Sequence, residues 1–339
     1  MPLAYAYLSG VHPLLPEEEL KALVEVSGQA YKPLARLDQL VILDADYKVL
    51  ALAVRRAAYV REVGQVLWFG DLEELLGSVP RVAEELKELG VGSVRLEAAS
   101  VKVNVDLSRI ISGTLRALAE LGVRPNLASG NRLRLLVSEG AGLIGLAEGF
   151  SDLGDVASRS PPRKPFWRSG ELDLRLSRAM VNISRLREGD VFLDPFCGTG
   201  TLAVEAELVG ASKSACIDID KGMAYGSVKN FRYLGLQAGV IMANSSEAPL
   251  RDESVDAIAT DPPYGRSTRM PGFSYEGLVS GFLEEAARVL RRGGYVVYAG
   301  PAELRPYTLA ADAGLKLVSR LDQFVHSSLV RQIVVAKKV

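Results

Sequence analysis

The stretch that most constrains the fold is a short apolar run, Val191-Phe192-Leu193, that ends on an acid and opens into Asp194-Pro195-Phe196-Cys197-Gly198-Thr199-Gly200-Thr201. A buried strand that leaves through a glycine-containing turn into a helix is the first half of a βαβ unit. The same rhythm continues on both sides: a helix over Leu172–Ile183 precedes it, and a helix over Thr201–Val209, a strand over Ser214–Ile217 and a helix over Lys221–Leu234 follow. Further strands are expected at Ala238–Met242, Ala257–Ala259 and Tyr295–Tyr298. This alternation predicts an α/β fold over 172–339, Rossmann-like, with a doubly wound and mostly parallel sheet. Ligands of such sheets bind at the carboxyl ends of the strands.

Glycines at 198 and 200 let the backbone approach a ligand closely. A dinucleotide loop would favour pyrophosphate at the helix N-terminus, but a leading Asp194 would repel phosphates. A cationic sulfonium with an amino-acid tail is the better guest, so S-adenosylmethionine is the expected cofactor. Asp194 is expected near its ammonium group, with Pro195, Phe196, Gly198, Thr199, Gly200 and Thr201 forming the loop around it. One strand later Asp218 is placed to accept both hydroxyls of a ribose, with Ile219 beside it. Asp220 is either a second ligand or the cap of the helix that starts at Lys221. Ala243-Asn244-Ser245, after the third strand, is the expected contact of the adenine edge.

The reacting site is expected at Asp261-Pro262-Pro263-Tyr264-Gly265, which follows the strand Ala257–Ala259. An exocyclic amino group on a base is a poor nucleophile because its lone pair is delocalised into the ring. The Asp261 carboxylate and the Pro262 carbonyl can accept its protons, turn the lone pair toward the methyl group and stabilise the positive charge that grows on nitrogen. Pro262 and Pro263 fix the backbone direction, and Tyr264 can stack on an extruded base. An ordinary Pro-rich turn is the competing explanation for this tetrapeptide alone, but three such motifs follow successive strands in order.

The chain has 339 residues, enough for more than one domain. Its 40 Lys and Arg against 41 Asp and Glu give no global basic excess, so a nucleic-acid surface must be a local patch. Cys197 and Cys216 cannot build a disulfide framework, and with only His12 and His326 available no metal site is expected. A reducing cytoplasm fits, and neither a signal peptide nor a membrane span is expected. His326 is expected to make a structural hydrogen bond. The N-terminal part alternates apolar runs at Tyr5–Leu8, Leu40–Asp44 and Leu50–Val54 with a helix over Pro16–Val26. A second unit carries helical patterns at Asp71–Leu76, Val79–Leu89 and Leu107–Leu121, and strands at Ser93–Ala98, Arg132–Val137 and Leu143–Leu146. Both suggest small α+β modules. The segment 151–171, with three prolines, is read as an exposed linker.

At these motifs the chain resembles the archaeal tRNA guanosine-N2 methyltransferases that carry a THUMP domain and act at position 10 of tRNA. The likeness lies in Arg163–Gly170 (RKPFWRSG), Leu172–Asn182 (LDLRLSRAMVN), DPFCGTG from Asp194, DPPYG from Asp261 and FVHSSLVR from Phe324, with RRAAYVREVG from Arg55 like the start of a THUMP portion. It implies a class I methyltransferase domain over 172–339, preceded by a ferredoxin-like domain over 1–48 and a THUMP RNA-binding domain over 49–150. It also implies methylation of the 2-amino group of guanosine 10. The same chemistry at guanosine 6 of tRNA, or amino-methylation of a DNA base, is the alternative. Asn244 stands where the family has an acid, and Ser327 where it has a basic residue. The expected partner is tRNA, with the need for a small activator subunit left open, and the protein is expected to be a monomer. Arg55, Arg56, Arg132, Arg134, Arg163, Lys164 and Arg168 are the expected RNA contacts, the last three beside Phe166 and Trp167.

Overall fold

The computed structural model describes residues 3–102, 105–264 and 274–339, so Gly265 lies outside the described residues. The chain divides into two units, Met1–Arg55 with Tyr59–Asp152, and Arg56–Ala58 with Leu153–Val339.

In the first unit the elements are β1 (Ala4–Leu8), α1 (Leu15–Val26), β2 (Pro33–Leu37), β3 (Leu40–Leu43), α2 (Tyr47–Val54), β4 (Val60–Asp71), α3 (Leu75–Glu88), β5 (Ser93–Val101), α4 (Ser108–Glu120), β6 (Arg124–Pro125), β7 (Arg132–Ser138) and β8 (Ala141–Phe150). The strands form one sheet in the order β2-β3-β1-β4-β8-β7-β5-β6. Every residue of β1 is buried, as an interior strand covered on both faces requires. Helices α3 and α4 supply Leu75, Val79, Val82, Leu86 and Leu118 to a core shared with Leu133, Leu135 and Ile144 of the sheet.

The apolar run Leu50–Val54 is not a strand. It lies in α2, whose start is capped by Asp46: its Oδ1 accepts the amides of Lys48 at 2.9 Å and Val49 at 3.4 Å. Tyr47, Leu50, Ala51 and Val54 are buried at helical spacing. The expected boundary at residue 48 therefore falls inside a helix. The sheet is also continuous across it, because β1 pairs with β4.

The second unit contains α5 (Val156–Arg159), α6 (Leu174–Ile183), β9 (Val191–Asp194), α7 (Thr201–Leu208), β10 (Lys213–Asp218), α8 (Lys221–Leu234), β11 (Gly239–Met242), β12 (Val255–Thr260), α9 (Tyr275–Val289), β13 (Leu290–Pro301), α10 (Leu309–Asp312), β14 (Lys316–His326) and β15 (Leu329–Lys337). Its sheet runs β11-β10-β9-β12-β13-β15-β14. The pairings from β11 to β13 are parallel, and β15 lies antiparallel to both β13 and β14. The expected doubly wound sheet is present, with chain order reversing on either side of β9. That reversal opens a crevice at the carboxyl ends of β9 and β12.

Most of residues 153–171 are exposed, but Arg159 and Lys164 are buried and tie the segment to its own unit. Arg159 donates through Nε to Glu205 Oε1 of α7 at 2.8 Å, and Arg178 of α6 donates through Nε to Glu205 Oε2 at 2.7 Å. All three side chains are buried, so one carboxylate holds two guanidiniums that would otherwise be stranded away from water. Charge composition marks such a segment as solvated only when its charges lack buried partners. Replacing Glu205 by Ala should destabilise the unit by about 3–5 kcal/mol, measured by urea unfolding. A loss below about 1 kcal/mol would mean the triad is a surface-like pair of bridges.

Candidate active site

Parallel register brings three acids to one edge of the sheet. Asp194 ends β9 opposite Cys216 of β10, Asp218 ends β10, and Asp261 follows Thr260, the last residue of β12. Asp194 is fully buried. Its Oδ1 accepts the Thr260 hydroxyl at 2.7 Å and the Phe196 amide at 3.2 Å. Burial pushes its carboxyl up to about 7 against those two hydrogen bonds, and the nearby Asp218 and Asp261 add to the rise. Burial also raises Asp218, although the amides of Asp220 and Gly198 donate to its Oδ1 and Oδ2, both at 2.8 Å.

Two cavities adjoin here, sharing Phe196, Gly198, Met223 and Asp261. The larger, about 310 Å³, is lined by Pro195, Asp218, Ile219, Asn244 and Ser245, among others. The smaller, about 190 Å³, is lined by Asp194, Thr199 and Thr201 on one side and by Arg168–Leu172 on the other. Of the expected cofactor residues, Gly200 lines neither. It turns the chain at φ +84° into α7, and a Cβ there would meet Phe231 Cζ at 2.9 Å. Asp220 caps α8 through the Met223 amide at 2.9 Å and also lines the larger cavity. Asn244 accepts the Ser246 amide at 3.2 Å, while the Ser245 hydroxyl is buried with no hydrogen-bond partner. Met223 and Leu278 are wall residues that pattern reading missed, because an apolar wall looks like core in a sequence.

The loop between β9 and α7 is held from outside. Lys164 is buried, with its ammonium 3.3 Å from Thr199 Oγ1, 3.1 Å from Thr201 Oγ1 and 2.8 Å from Glu171. Asn230 of α8 accepts the Phe166 amide at 2.9 Å and donates to the carbonyls of Phe166 and Thr199, both at 2.8 Å. Gly226 makes room for this: a Cβ there would lie 2.2 Å from the Phe166 ring. Cys197 and Cys216 are joined by a disulfide, tying the loop to β10. A count of two cysteines did not suggest that role.

Beyond the crevice edge, Pro263 lines the larger cavity and Pro262 is buried. The Tyr264 hydroxyl donates to Asp261 Oδ1, and its ring meets Tyr275 edge-on at 6.4 Å.

The RMKL-like methyltransferase domain family matches residues 161–333 of this chain. The chain belongs to that family. It is 32% identical to the tRNA (guanine(10)-N2)-dimethyltransferase of Pyrococcus abyssi, over 96% of this chain and 97% of that protein. It is 28% identical to the protein of the same name from Methanothermobacter thermautotrophicus, over 98% of each. Among solved structures, TrmN from Thermus thermophilus shares the fold with a TM-score of 0.53 at 22% identity, over 99% of this chain and 100% of that one. The second unit is thus a Rossmann-like class I methyltransferase domain.

Two of the expected RNA contacts, Lys164 and Arg134, are buried and engaged within the protein. Lys164 is committed to Glu171 and the two threonines. Arg134 is buried, donating through Nε to Glu62 at 2.7 Å and through Nη1 to Glu97 at 2.9 Å. Arg56 is half-buried and donates to Asn182 Oδ1 at 2.7 Å, and Arg132 lies over the Phe150 ring at 4.4 Å. Arg55, Arg163 and Arg168 are exposed. His326 Nδ1 accepts the Ser328 amide at 3.3 Å, the structural bond expected of it.

A carboxyl raised on folding binds a proton in the native chain where the unfolded chain has lost it, so it lowers stability as pH rises between the two pKa values. For Asp194 that window runs from its ordinary value of 3.8 to about 7. Without ligand, D194N should therefore gain melting temperature relative to wild type as pH rises through this window. A difference that stays flat between pH 4 and pH 7 would mean that Asp194 does not carry the burden of burial. Similarly, D218A should weaken cofactor binding by about tenfold or more in calorimetric titration, and unchanged affinity would remove it from the site.

Proposed function

We propose that this methyltransferase uses S-adenosylmethionine to methylate the exocyclic 2-amino group of guanosine 10 in tRNA, giving N2-methyl- and N2,N2-dimethylguanosine. The observation that carries this reading is the placement of Asp261 on the walls of both cavities, where a ligand spanning them meets it.

The residues present fit the cofactor. The orphaned Ser245 hydroxyl and Asn244 would receive the adenine edge, Asp218 the ribose hydroxyls, and the smaller cavity with Asp194 the amino-acid end. Three desolvated acids favour a guest that carries positive charge. When bound, the cofactor supplies an electrophilic methyl carbon: the amine lone pair forms the N–C bond as the C–S electrons return to sulfur. Asp261 and the Pro262 carbonyl accept the amino protons, which localises the lone pair and stabilises charge developing on nitrogen. The Asp261 carboxylate then takes the proton that nitrogen releases and passes it to solvent. Tyr264 holds the base from one side.

The first unit serves as the RNA-binding part, ferredoxin-like followed by THUMP, with its exposed Arg55 and half-buried Arg132 meeting phosphates; Arg56, Arg163 and Arg168 of the second unit are the other phosphate contacts. The enzyme works in the cytoplasm as a monomer. None of the described helices is long and apolar enough to cross a membrane.

Methyl transfer from labelled cofactor to unmodified tRNA transcripts tests the reading. Activity should vanish when guanosine 10 is replaced and persist when guanosine 6 is replaced; the reverse pattern moves the target to position 6. D261A should lower transfer by about 10²–10³-fold while RNA affinity, measured by filter binding, holds. Equal loss of both would make Asp261 structural.

A further inference from the structure

Arg331 stands 67 residues beyond Tyr264 in the chain and yet ends at the reacting edge. It belongs to β15, with its side chain almost wholly buried, and its Nε donates to the Tyr264 hydroxyl at 3.0 Å. Its Nη1 donates to Gln323 Oε1 at 3.1 Å, the residue directly across the β14–β15 ladder. The Tyr264 hydroxyl, which accepts from Arg331, donates in turn to Asp261 Oδ1. A phenol between a cation and an anion is polarised by both, so each of its hydrogen bonds is strengthened.

We propose that Arg331 is a positioning residue for methyl transfer, acting through the Tyr264 hydroxyl to fix the rotamer and the negative charge of Asp261. The proposal rests on Asp261 being the acceptor described above. One carboxylate oxygen is pinned by the phenol, which leaves the other for the amino group. The Gln323 bond sets the angle of the guanidinium, and the antiparallel ladder sets Gln323, so the chain of contacts is anchored in the sheet.

Among the described residues, the charged and titratable groups around Asp261 include Asp194 of β9, Tyr264 of its own turn, Tyr275 of α9 and Arg331 of β15. Burial raises the Asp261 carboxyl, and the Arg331 charge and the Tyr264 hydrogen bond oppose the rise. For Arg331 burial works against the charge, while Tyr264 and Asp261 outweigh it and raise the guanidinium. Among the described residues, Arg331 is the cation that acts on Asp261. Without it Asp261 holds its proton to higher pH, and the proton occupies the oxygen that the amino group needs.

The test is the pH dependence of kcat at saturating cofactor for wild type, R331Q and R331K, run on whichever nucleic acid the wild type methylates. A wrong target would thus sink the functional reading and leave this comparison intact. R331Q should move the acid limb of the profile up by about one pH unit and cost about tenfold or more in kcat near that limb. R331K, which keeps the charge, should hold the limb within about a third of a unit of wild type. Cofactor affinity and melting temperature serve as controls for folding. An R331Q limb that coincides with that of wild type overturns the proposal. So does an R331K profile displaced as far as that of R331Q, since a purely structural role would make the two substitutions alike. If R331Q does not fold, Q323L, which keeps the cation but frees its angle, should lower kcat with the limb unmoved; unchanged kcat would overturn the proposal.

Discussion

Everything at the reacting edge depends on the parallel pairing of β9 with a strand on each side. That register sets Asp194 opposite Cys216 and Leu193 opposite Ile258, so the turns after three strands open at one level. Carboxylates gathered this way repel one another and lose water at once. The fold offsets only part of that cost: a threonine hydroxyl and an amide for Asp194, two amides for Asp218, a phenol for Asp261. The remainder stays as raised pKa values, which amount to a standing preference for a positively charged guest.

The segment before α6 belongs to the same economy of charge. Lys164 places a buried ammonium under the loop that Asp194 opens, and Arg159 reaches Glu205 on the helix that the loop starts. A loop whose glycines give it freedom would lose entropy on binding a ligand. Pinning it beforehand through Lys164, Asn230 and the Cys197–Cys216 disulfide removes part of that loss. The price of the arrangement is sensitivity: a Cβ at Gly226 would displace Phe166 and with it the peptide that Asn230 clasps.

Much of the catalytic unit was legible in the sequence because its strands are short apolar runs closed by acids and its helices carry explicit caps. Helix α8 matches the sequence expectation at both ends, with Asp220 at its start and Gly235 in the left-handed region at its finish. What escaped had a physical cause in each case. Leu50–Val54 is apolar enough for either a strand or a helix, and the decision lay upstream in the Asp46 cap. Lys164 and Arg134 have the composition of phosphate contacts, and only their carboxylate partners, Glu171 seven residues on and Glu62 seventy-two residues back, show them engaged within the protein. Arg331 could not be attached to Tyr264 from the chain alone, because β15 reaches the site by an antiparallel return that no local pattern encodes.

Tyr264 shows how a motif can be read correctly in kind and incompletely in use. A tyrosine after Asp-Pro-Pro suggests a ring offered to a base, and the hydroxyl is ignored because stacking does not need it. In the structure the hydroxyl is the better determined part, held between Arg331 and Asp261, while the ring meets Tyr275 edge-on and so is not stacked face to face on that neighbour. The two uses are compatible, since hydrogen bonds to the phenol lie near the ring plane and leave the faces open to contact. They also reinforce each other. A ring whose in-plane direction is fixed by an arginine and a carboxylate would present a base at a defined height relative to the acid that must accept its proton, and positioning of that kind is what an unreactive amine requires.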